Sequence, residues 1–404
     1  MKRTSHALIT AQKHIVDNLQ NTIDKLSESS SNQPVLAHHV ITLTYSGLRI
    51  ATFHSKELHV RLSTLSKTLF LTGLLAFAAA ASAQKTQLLV YTALETDQLK
   101  AYQEGFNKSY PDIELKWVRD STGVITAKLL AEKGNPQADA VMGVAATSLA
   151  LMDKQGMLIP YAPLNLDAIM SQYRDKKQPP AWFGMDVWGA TICFNTVEAK
   201  KKNIPAPETW QDLTKPVYKG QIVMPNPASS GTGYFDVVAW LTLFGDKEGK
   251  GGGWKYMDGL HENIAQYTHS GSKPCNMAGS GEFVLGISFE YRANSNKAKG
   301  APIDLIFPKE GLGWDLEAFA IHKGTKKLEA AKKLADWASS KDAMLLYGKN
   351  FAITAQPGVA TPLANVPKDY EARLVKLDFG YAAEQRERIL KEWTTRYDGK
   401  SEKR

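Results

Sequence analysis

The sequence has 404 residues and a formal net charge of +8, with 43% hydrophobic and 22% charged residues. This length is sufficient for two or more domains, and the composition is that of an ordinary globular protein. Residues 1–83 contain eight Lys and Arg against four Asp and Glu, so half of the positive excess lies at the N-terminal end. The rest is spread without a basic run, which argues against nucleic acid as a partner.

The first recognisable element is a leader at residues 61–83. Basic residues precede a short apolar run from Thr68 to Ala80, and Ala81-Ser82-Ala83 supplies the small residues of a cleavage site. This pattern is typical of a secretory signal peptide, because the apolar run is short of the roughly 20 residues that span a bilayer. We predict cleavage after Ala83 and export as a soluble protein. Residues 1–60 are then an extension that is absent from the mature protein.

Beyond the leader, strand and helix patterns alternate. Short apolar or alternating runs predict strands, and each is followed by a stretch with apolar residues at helical spacing. The predicted strands lie at 87–91, 113–118 and 138–142, and the helices that follow lie at 99–110, 121–133 and 147–156. This alternation favours parallel βαβ units.

Hydroxyl side chains follow each of these strands: Thr92 after the first, Ser121 and Thr122 after the second, Thr147 and Ser148 after the third. In an open parallel sheet such turns gather at the carboxyl edge, where ligands bind. Any one of these hydroxyls is also explained as a helix cap. Their recurrence predicts that they converge on a shared polar ligand.

Residues 226–235, Asn-Pro-Ala-Ser-Ser-Gly-Thr-Gly-Tyr-Phe, repeat this arrangement between a predicted strand at 221–224 and an apolar helix. Such a turn offers free backbone N–H groups and the positive end of a helix dipole. Serine and threonine add hydroxyl donors, and glycine permits close approach of a ligand. A simple N-cap is the alternative explanation for one of these hydroxyls. The residues that we assign to an anion site here are Ser229, Ser230, Gly231, Thr232 and Gly233.

The rest of the chain continues the alternation. Further strands are predicted at 190–195, 283–289, 303–307 and 318–321, and further helices at 254–260, 326–339, 342–349 and 382–396. The pattern indicates two α/β lobes with helices at the C-terminal end.

Two cysteines, Cys193 and Cys275, lie in the predicted mature chain. An exported protein folds in an oxidising compartment, where such a pair forms a disulfide if the backbone brings it together. Closing a loop of this length stabilises the fold by roughly 4 kcal/mol in the chain-entropy treatment. The sequence leaves open a disulfide or two separately buried thiols.

Several short motifs, taken in order, resemble the bacterial extracellular solute-binding proteins of the ferric-iron-binding type. They are Val90-Tyr91-Thr92-Ala93-Leu94-Glu95, Asp120-Ser121-Thr122-Gly123, Asn135-Pro136-Gln137-Ala138-Asp139, Ser229-Ser230-Gly231-Thr232-Gly233-Tyr234 and Lys323-Gly324. The wording Tyr-Thr-Ala-Leu-Glu and Trp-Val-Arg-Asp-Ser-Thr-Gly is closest to the branch assigned to 2-aminoethylphosphonate uptake. The resemblance covers essentially all of residues 84–404.

This resemblance implies an α/β, two-lobed periplasmic-binding-protein fold of type II, with a mostly parallel sheet in each lobe and the ligand in the cleft. Residues 84–187 plus 308–404 would form lobe 1 and residues 188–307 lobe 2, with the C-terminal helices on either lobe. The protein would be a periplasmic monomer that delivers its ligand to an ABC permease and carries no cofactor. Ferric-iron members present adjacent tyrosines, and this sequence has no such pair. An enzyme acting on phosphonates is the contrasting hypothesis, but no nucleophile with a base is evident.

A phosphonate suits N–H and O–H donors at helix starts, so the hydroxyls and glycines named above are assigned to it. The ammonium end of an aminoalkylphosphonate needs carboxylates or aromatic faces. The candidates for the ammonium end are Glu95, Glu290, Tyr291, Asp315 and Trp188. We expect Glu317 to be a solvated charge at a strand edge. Another small oxyanion, a phosphorylated metabolite or, more remotely, ferric iron are the alternative ligands.

Overall fold

The computed structural model describes residues 85–246 and 251–403. The extension at residues 1–60, and the signal peptide with its cleavage site after Ala83, lie outside the described residues and stay predictions. Within the part of the chain that is described, no helix has the length and apolar content to cross a membrane.

Strands and helices alternate at the start of the described chain, as the sequence predicts. They are β1 (Thr86–Thr92), α1 (Thr96–Ser109), β2 (Ile113–Arg119), α2 (Thr122–Ala131), β3 (Ala140–Ala145), α3 (Ala146–Lys154) and β4 (Leu158–Ile159). In α1 the buried residues Gln98, Tyr102 and Phe106 recur every four positions and form one face, the spacing that an amphipathic helix requires. The chain turns at Pro111 before β2 begins.

The middle of the chain contains more elements than the sequence indicates. They are β5 (Phe183–Asn195), α4 (Thr196–Lys202), β6 (Ile222–Pro225), α5 (Gly231–Phe244), α6 (Gly252–Asn263), β7 (Ile264–Thr268), α7 (Lys273–Ser280), β8 (Leu285–Phe289), α8 (Glu290–Ala298) and β9 (Ile303–Ile306). Of these, α4, β7, α7 and α8 were not predicted. Helix α5 is buried from Gly231 to Leu241, so it packs on several sides rather than along one stripe.

The C-terminal part returns to the first lobe through a long strand and ends in helices. These elements are β10 (Trp314–His322), α9 (Leu328–Ala338), α10 (Lys341–Lys349), β11 (Ile353–Thr354), α11 (Tyr370–Arg373) and α12 (Phe379–Tyr397). The three long helices α9, α10 and α12 agree with the sequence prediction within a few residues.

The strands follow the order β2-β1-β3-β10-β5-β8-β6-β7, with β4, β9 and β11 paired to this path. Strands β1, β2 and β3 run parallel to one another, as do β6, β7 and β8. Strands β5 and β10 are antiparallel to their neighbours. Each lobe is therefore a mostly parallel sheet, and the strands that link the two lobes run against it.

Strand β5 passes from one lobe into the other. Its first half, from Phe183 to Gly189, pairs with β10, and its second half, from Ala190 to Phe194, pairs with β8. All thirteen of its residues are buried. The change of partner near Gly189 places residues of β5 directly beneath the space between the lobes.

Two separate hydrophobic cores define the lobes. The core of lobe 1 includes Leu88, Phe106 and Phe319, and the core of lobe 2 includes Trp210 and Trp240. Large apolar side chains buried in this way stabilise a fold by about 1.5–3 kcal/mol each. Each lobe therefore has a core of its own, although Ala145 of β3 and Ala239 of α5 pack into the core of the opposite lobe.

The cysteines form a disulfide. Cys193 in β5 and Cys275 in α7 have Cα atoms 5.3 Å apart, and both are fully buried. Of the two alternatives that the sequence leaves open, the structure shows the disulfide. It fixes the polar helix α7 to the linking strand of lobe 2.

The C-terminal helices contact both lobes. The α10 residue Tyr347 packs against Tyr102 of α1 in lobe 1, with ring centroids 4.9 Å apart. Helix α12 receives a hydrogen bond from the Tyr234 hydroxyl of α5 in lobe 2, at 2.5 Å from the Ala382 carbonyl oxygen. Lys154 of α3 in lobe 1 lies 3.2 Å from a carboxylate oxygen of Glu384 in α12. The predicted residue boundaries of the lobes stay a prediction.

Candidate ligand-binding site between the lobes

A small cavity lies between the two lobes, where the helices α2 and α5 begin. Its volume is about 30 Å³, which is more than the roughly 10–15 Å³ that one water molecule needs. The residues around it are Ala93, Glu95, Arg119, Ser121, Thr122, Gly143, Trp188, Ser230, Gly231, Thr232, Gly271, Phe289, Tyr291 and Glu317. Hydroxyl, amide, cationic, acidic and aromatic groups therefore surround one space.

The N-terminal ends of α2 and α5 meet across this cleft. The Gly123 N–H of α2 donates to the Ser229 carbonyl oxygen just before α5, at 2.8 Å. Gly231 is so near α2 that a Cβ on it would lie 2.9 Å from the Thr122 hydroxyl oxygen. The first turns of both helices, with their positive dipole ends, face the same space. Two such ends provide an environment that suits an anion, with donors from each lobe.

The caps of these two helices differ in a way that matters for binding. Ser230 caps α5 by accepting from the Gly233 N–H at 3.4 Å, a long contact. Ser121 occupies the cap position of α2 without a hydrogen bond from its side chain to the helix. The Ser121 hydroxyl is half-buried and lines the cavity. It is therefore a donor available to a ligand rather than a fully used cap.

One arginine adds a full positive charge to the cavity wall. Arg119, the last residue of β2, donates from Nε to the Leu94 carbonyl oxygen at 2.9 Å. Its guanidinium lies 3.6 Å from a carboxylate oxygen of Glu95. These two contacts fix the planar group beside the cavity, where its remaining donors suit a tetrahedral anion.

Acidic and aromatic residues line the same cavity. The Tyr291 hydroxyl donates to Glu317 at 3.2 Å, and the Trp188 indole N–H lies 3.4 Å from the Thr232 hydroxyl oxygen. Glu317 is only 4% exposed, so our expectation of a solvated edge charge is wrong. Burial raises its pKa well above the ordinary glutamate range, since the low-polarity surroundings disfavour the charged form. Glu317 therefore belongs with Glu95 among the acids of the site.

A cluster of ion pairs joins the lobes beside the cavity. Arg292 of α8 binds the Asp97 carboxylate of α1 through two hydrogen bonds, at 3.1 and 3.2 Å. The same guanidinium lies 3.3 Å from Glu95. Arg292 is 7% exposed, whereas the Asp97 side chain is half exposed, so the two-point contact is buried on its lobe 2 side only. It holds lobe 2 against the first turn of α1.

Eight of the fifteen predicted site residues come together around the cavity. They are Ser121, Thr122, Ser230, Gly231, Thr232, Glu95, Tyr291 and Trp188.

Four predicted hydroxyls lie outside the lining and are paired within the protein. Thr92 accepts from the Leu94 N–H at 3.1 Å, and Thr147 donates to Asp315 at 2.7 Å. Ser148 accepts from Thr126 at 2.9 Å, and Ser229 donates to the His269 carbonyl oxygen at 3.1 Å. Gly233 also lies outside the lining, and its N–H donates to the Ser230 hydroxyl that caps α5. These residues shape the turns that hold the site.

Two predicted acids are buried behind the cavity rather than on its wall. Glu290, the first residue of α8, accepts from the Gly189 N–H at 2.7 Å, and burial raises its pKa to about 8. Asp315 accepts from the Thr147 hydroxyl, and burial raises its pKa to about 7. Both groups brace β5 and β10 where these strands link the lobes.

The sequence analysis missed several lining residues. Gly271 lies in the Ser-Gly-Ser turn after β7, so close to α5 that a Cβ on it would be 2.5 Å from the Thr232 hydroxyl oxygen. This turn repeats the hydroxyl-and-glycine pattern that marked the other turns, but β7 itself was not recognised. Ala93, Gly143 and Phe289 offer backbone or apolar surface and carry no polar signal in the sequence.

Within residues 85–246 and 251–403, no group of three or more His, Cys, Asp and Glu side chains is placed to hold a metal ion.

Comparison with known proteins identifies the family. The profile of the family described as bacterial extracellular solute-binding protein matches residues 135–382. The chain belongs to this family. This solute-binding protein is 30% identical to an uncharacterized protein of Haemophilus influenzae over 342 residues. The matched region covers 82% of this chain and 96% of the relative.

Two further relatives bear on the fold and the ligand. A probable ABC transporter periplasmic-binding protein of Sinorhizobium fredii is 29% identical over 288 residues, 66% of this chain and 76% of that protein. The structure of the periplasmic binding protein AfuA from Actinobacillus pleuropneumoniae, with exogenous fructose-6-phosphate bound, is 29% identical and has a TM-score of 0.73. It covers 78% of this chain and 99% of its own. The predicted α/β, two-lobed fold of type II is confirmed.

Proposed function

We propose that this solute-binding protein is the periplasmic substrate-binding component of an ABC importer and captures 2-aminoethylphosphonate or a related aminoalkylphosphonate. The observation that carries the proposal is the meeting of two helix N-termini across a cavity that also contains two glutamates. Donors at α2 and α5, with Arg119, match the three oxygens of a phosphonate. Glu317 and the aromatic rings match an ammonium group.

The two glutamates differ in their suitability for the ammonium group. Glu95 already lies within 3.6 Å of Arg119 and 3.3 Å of Arg292, so its charge is largely compensated. Glu317 instead accepts from the neutral hydroxyl of Tyr291. A cationic group of the ligand therefore gains more from Glu317 than from Glu95, because a buried carboxylate without a cation is unfavourable. We assign the ammonium end to Glu317.

A phosphorylated sugar is the second candidate, since AfuA is 29% identical and its structure contains fructose-6-phosphate. The same helix N-termini suit a phosphate monoester. The acidic residues Glu95 and Glu317 on the cavity wall favour the ligand that carries an amine, since fructose-6-phosphate brings no cation to them. Delivery to a permease is supported by the Sinorhizobium fredii relative, whose name is that of a probable ABC transporter periplasmic-binding protein.

Calorimetric titration tests the proposal directly. The purified protein is titrated with 2-aminoethylphosphonate, ethylphosphonate, inorganic phosphate and fructose-6-phosphate. We expect tight binding of the first and much weaker binding of ethylphosphonate, which lacks the amine. Equal affinity for inorganic phosphate would refute the aminoalkylphosphonate assignment, and preferential binding of fructose-6-phosphate would select the second candidate.

A pair of threonine variants tests which residues touch the anion. Thr232→Val removes a hydroxyl of the cavity wall, and we expect Kd to rise roughly 5- to 150-fold, the effect of about 1–3 kcal/mol from an unpaired polar group. Thr242→Val is the matched control, because Thr242 is in the same helix and its hydroxyl donates to the Val238 carbonyl oxygen away from the cavity. Unchanged affinity in Thr232→Val would show that the α5 turn does not contact the ligand.

A further inference from the structure

At the cavity wall, the carboxyl group of Glu317 neighbours a second carboxyl group, that of Asp186, which lies behind the wall. Asp186 in β5 and Glu317 in β10 are direct partners across the antiparallel strands. Directly opposed residues of antiparallel strands have Cβ atoms about 4.5–5.5 Å apart, so the two carboxyl groups are neighbours, and burial and the negative charge of Asp186 both raise the pKa of Glu317. We refer to Asp186 and Glu317 as the carboxyl pair.

The pair is deeply buried and short of donors. Asp186 is fully buried, and among residues 85–246 and 251–403 no N–H or O–H group reaches either of its carboxyl oxygens. Glu317 receives the Tyr291 hydroxyl on one oxygen, while its other oxygen also has no donor in the described chain. Two ionised carboxylates so close in an apolar interior repel each other strongly. A proton held between them removes the repulsion and supplies the missing donor.

The charged groups that act on the pair most directly are acidic. Burial and the negative charge of Glu290 both raise the pKa of Asp186, and Glu95 acts in the same direction on Glu317. The tyrosines Tyr102, Tyr291 and Tyr347 complete the shell as neutral hydroxyls. The cations Arg119 and Arg292 are engaged with Glu95 and Asp97 instead.

We propose that the carboxyl pair holds a shared proton in the empty cleft and releases it when a cationic group of the ligand reaches Glu317, so that binding is coupled to proton release. This inference rests on the proposed function, because it requires a ligand with a cationic group such as the ammonium group of an aminoalkylphosphonate. Asp186 is a positioning residue in this scheme, since it acts on the ligand through Glu317. The proton leaves to solvent, the pair gains one negative charge, and the ammonium group compensates that charge.

The sign of the pH dependence follows. A bound cation stabilises the ionised pair and lowers its pKa, so the complex holds fewer protons than the free protein. Affinity for a cationic ligand then rises with pH by up to about tenfold per unit, the effect of one proton released. Affinity for ethylphosphonate lacks this rise, because that ligand brings no cation to the pair.

Proton release is measured by titrating 2-aminoethylphosphonate into the protein in buffers of different ionisation enthalpy. At about pH 8 a phosphonate with a second pKa close to that of phosphate, roughly 6, is already fully ionised, so protons released there come from the protein. We expect release of close to one proton in the native protein and its loss in Asp186→Asn. Tight binding without proton release would overturn the inference and leave the proposed function standing.

Asp236→Asn is the matched control. Asp236 in α5 is also fully buried without a hydrogen-bond partner in the described chain, and burial raises its pKa well above the aspartate range, but it does not line the cavity. Its replacement removes a buried protonated carboxyl group and should leave proton release on binding unchanged. Equal loss of proton release in both variants would overturn the role of the pair.

The proton itself is detectable without any ligand. The infrared carbonyl band of a protonated carboxyl group should be present in the native protein at about pH 8 and weaker in Asp186→Asn and in Glu317→Gln, two independent variants of the pair. An unchanged band in both variants would overturn the shared proton whatever the ligand is. If no cationic ligand binds, the proposed ligand and the coupling of binding to proton release are both refuted. The infrared band then still shows whether the carboxyl pair holds a proton.

Discussion

Replacing Gly123 by alanine should hold the two lobes apart. Gly123 is the second residue of α2, and its N–H donates to the Ser229 carbonyl oxygen of the opposite lobe at 2.8 Å. A Cβ at this position would lie 2.1 Å from the Ala228 carbonyl oxygen and 2.7 Å from the Ser229 carbonyl carbon. Both atoms belong to backbone, so no side-chain rotation relieves the overlap. The lobes must separate by about 1 Å to restore an ordinary contact.

The magnitude follows from where the clash occurs. Overpacking of a closely fitted contact costs about 1–3 kcal/mol, and here the cost falls on the closed arrangement alone. A ligand that binds the closed arrangement then loses affinity by the same amount, roughly 5- to 150-fold in Kd. The free energy of unfolding should stay within about 1 kcal/mol of the native value or rise, since alanine is the better residue in a helix.

Calorimetry of ligand binding, thermal unfolding and small-angle scattering together test this reasoning. We expect weaker binding, unchanged thermal stability and a larger radius of gyration in the presence of ligand. Gly134→Ala is the matched control, because it lies just beyond the same helix and a Cβ there meets no atom within 4 Å. Native affinity in Gly123→Ala would refute the view that ligand binding requires contact between α2 and α5.

Two further predictions concern contacts away from the cavity wall. Asp97→Asn removes the negative charge that pairs with Arg292 across the lobes. Because Asp97 is half exposed, we expect ligand release, measured by stopped-flow fluorescence, to become roughly 3- to 10-fold faster. An unchanged release rate would show that the Asp97–Arg292 pair does not stabilise closure. Replacement of Cys193 and Cys275 by serine should lower the free energy of unfolding, measured by chemical denaturation, by about 2–5 kcal/mol, the usual loss for a native disulfide. A change below about 1 kcal/mol would show that the unfolded chain is already constrained without the disulfide.

The elements that sequence patterns predicted well are those with a clear period. Helix α1 repeats its apolar residues at helical spacing, and β1 is a short apolar run between polar residues, so both were located within a few positions. Helices α7 and α8 were missed because their sequences, Lys-Pro-Cys-Asn-Met-Ala-Gly-Ser and Glu-Tyr-Arg-Ala-Asn-Ser-Asn-Lys-Ala, have few apolar residues. They are held by tertiary contacts instead, including the disulfide at Cys275.

The helix starts of the candidate site were predictable from the sequence, whereas the pairing of its buried acids was not. Hydroxyls and glycines at helix starts have a local cause, the unpaired N–H groups of the first turn, and the sequence therefore marked Ser121, Thr122 and the turn before α5. The acids have a tertiary cause. Glu317 and Asp186 become neighbours only because β5 and β10 pair in one register, and neither strand shows its partner in its own sequence.

If the proposed function holds, the charges around the cleft favour closure on a ligand with two opposite charges. Two helix ends that each carry about half a positive charge repel by roughly 0.8 kcal/mol at about 5 Å and an effective dielectric constant of about 20. A single negative charge about 4 Å from both ends attracts each by roughly 2 kcal/mol on the same basis, more than enough to reverse the sign. On the acidic side the carboxyl pair, with Glu95 and Glu290 nearby, opposes any further negative charge. On the proposed function, a small zwitterion satisfies both sides at once. A plain anion satisfies only the helix ends and leaves the carboxyl pair to keep its proton.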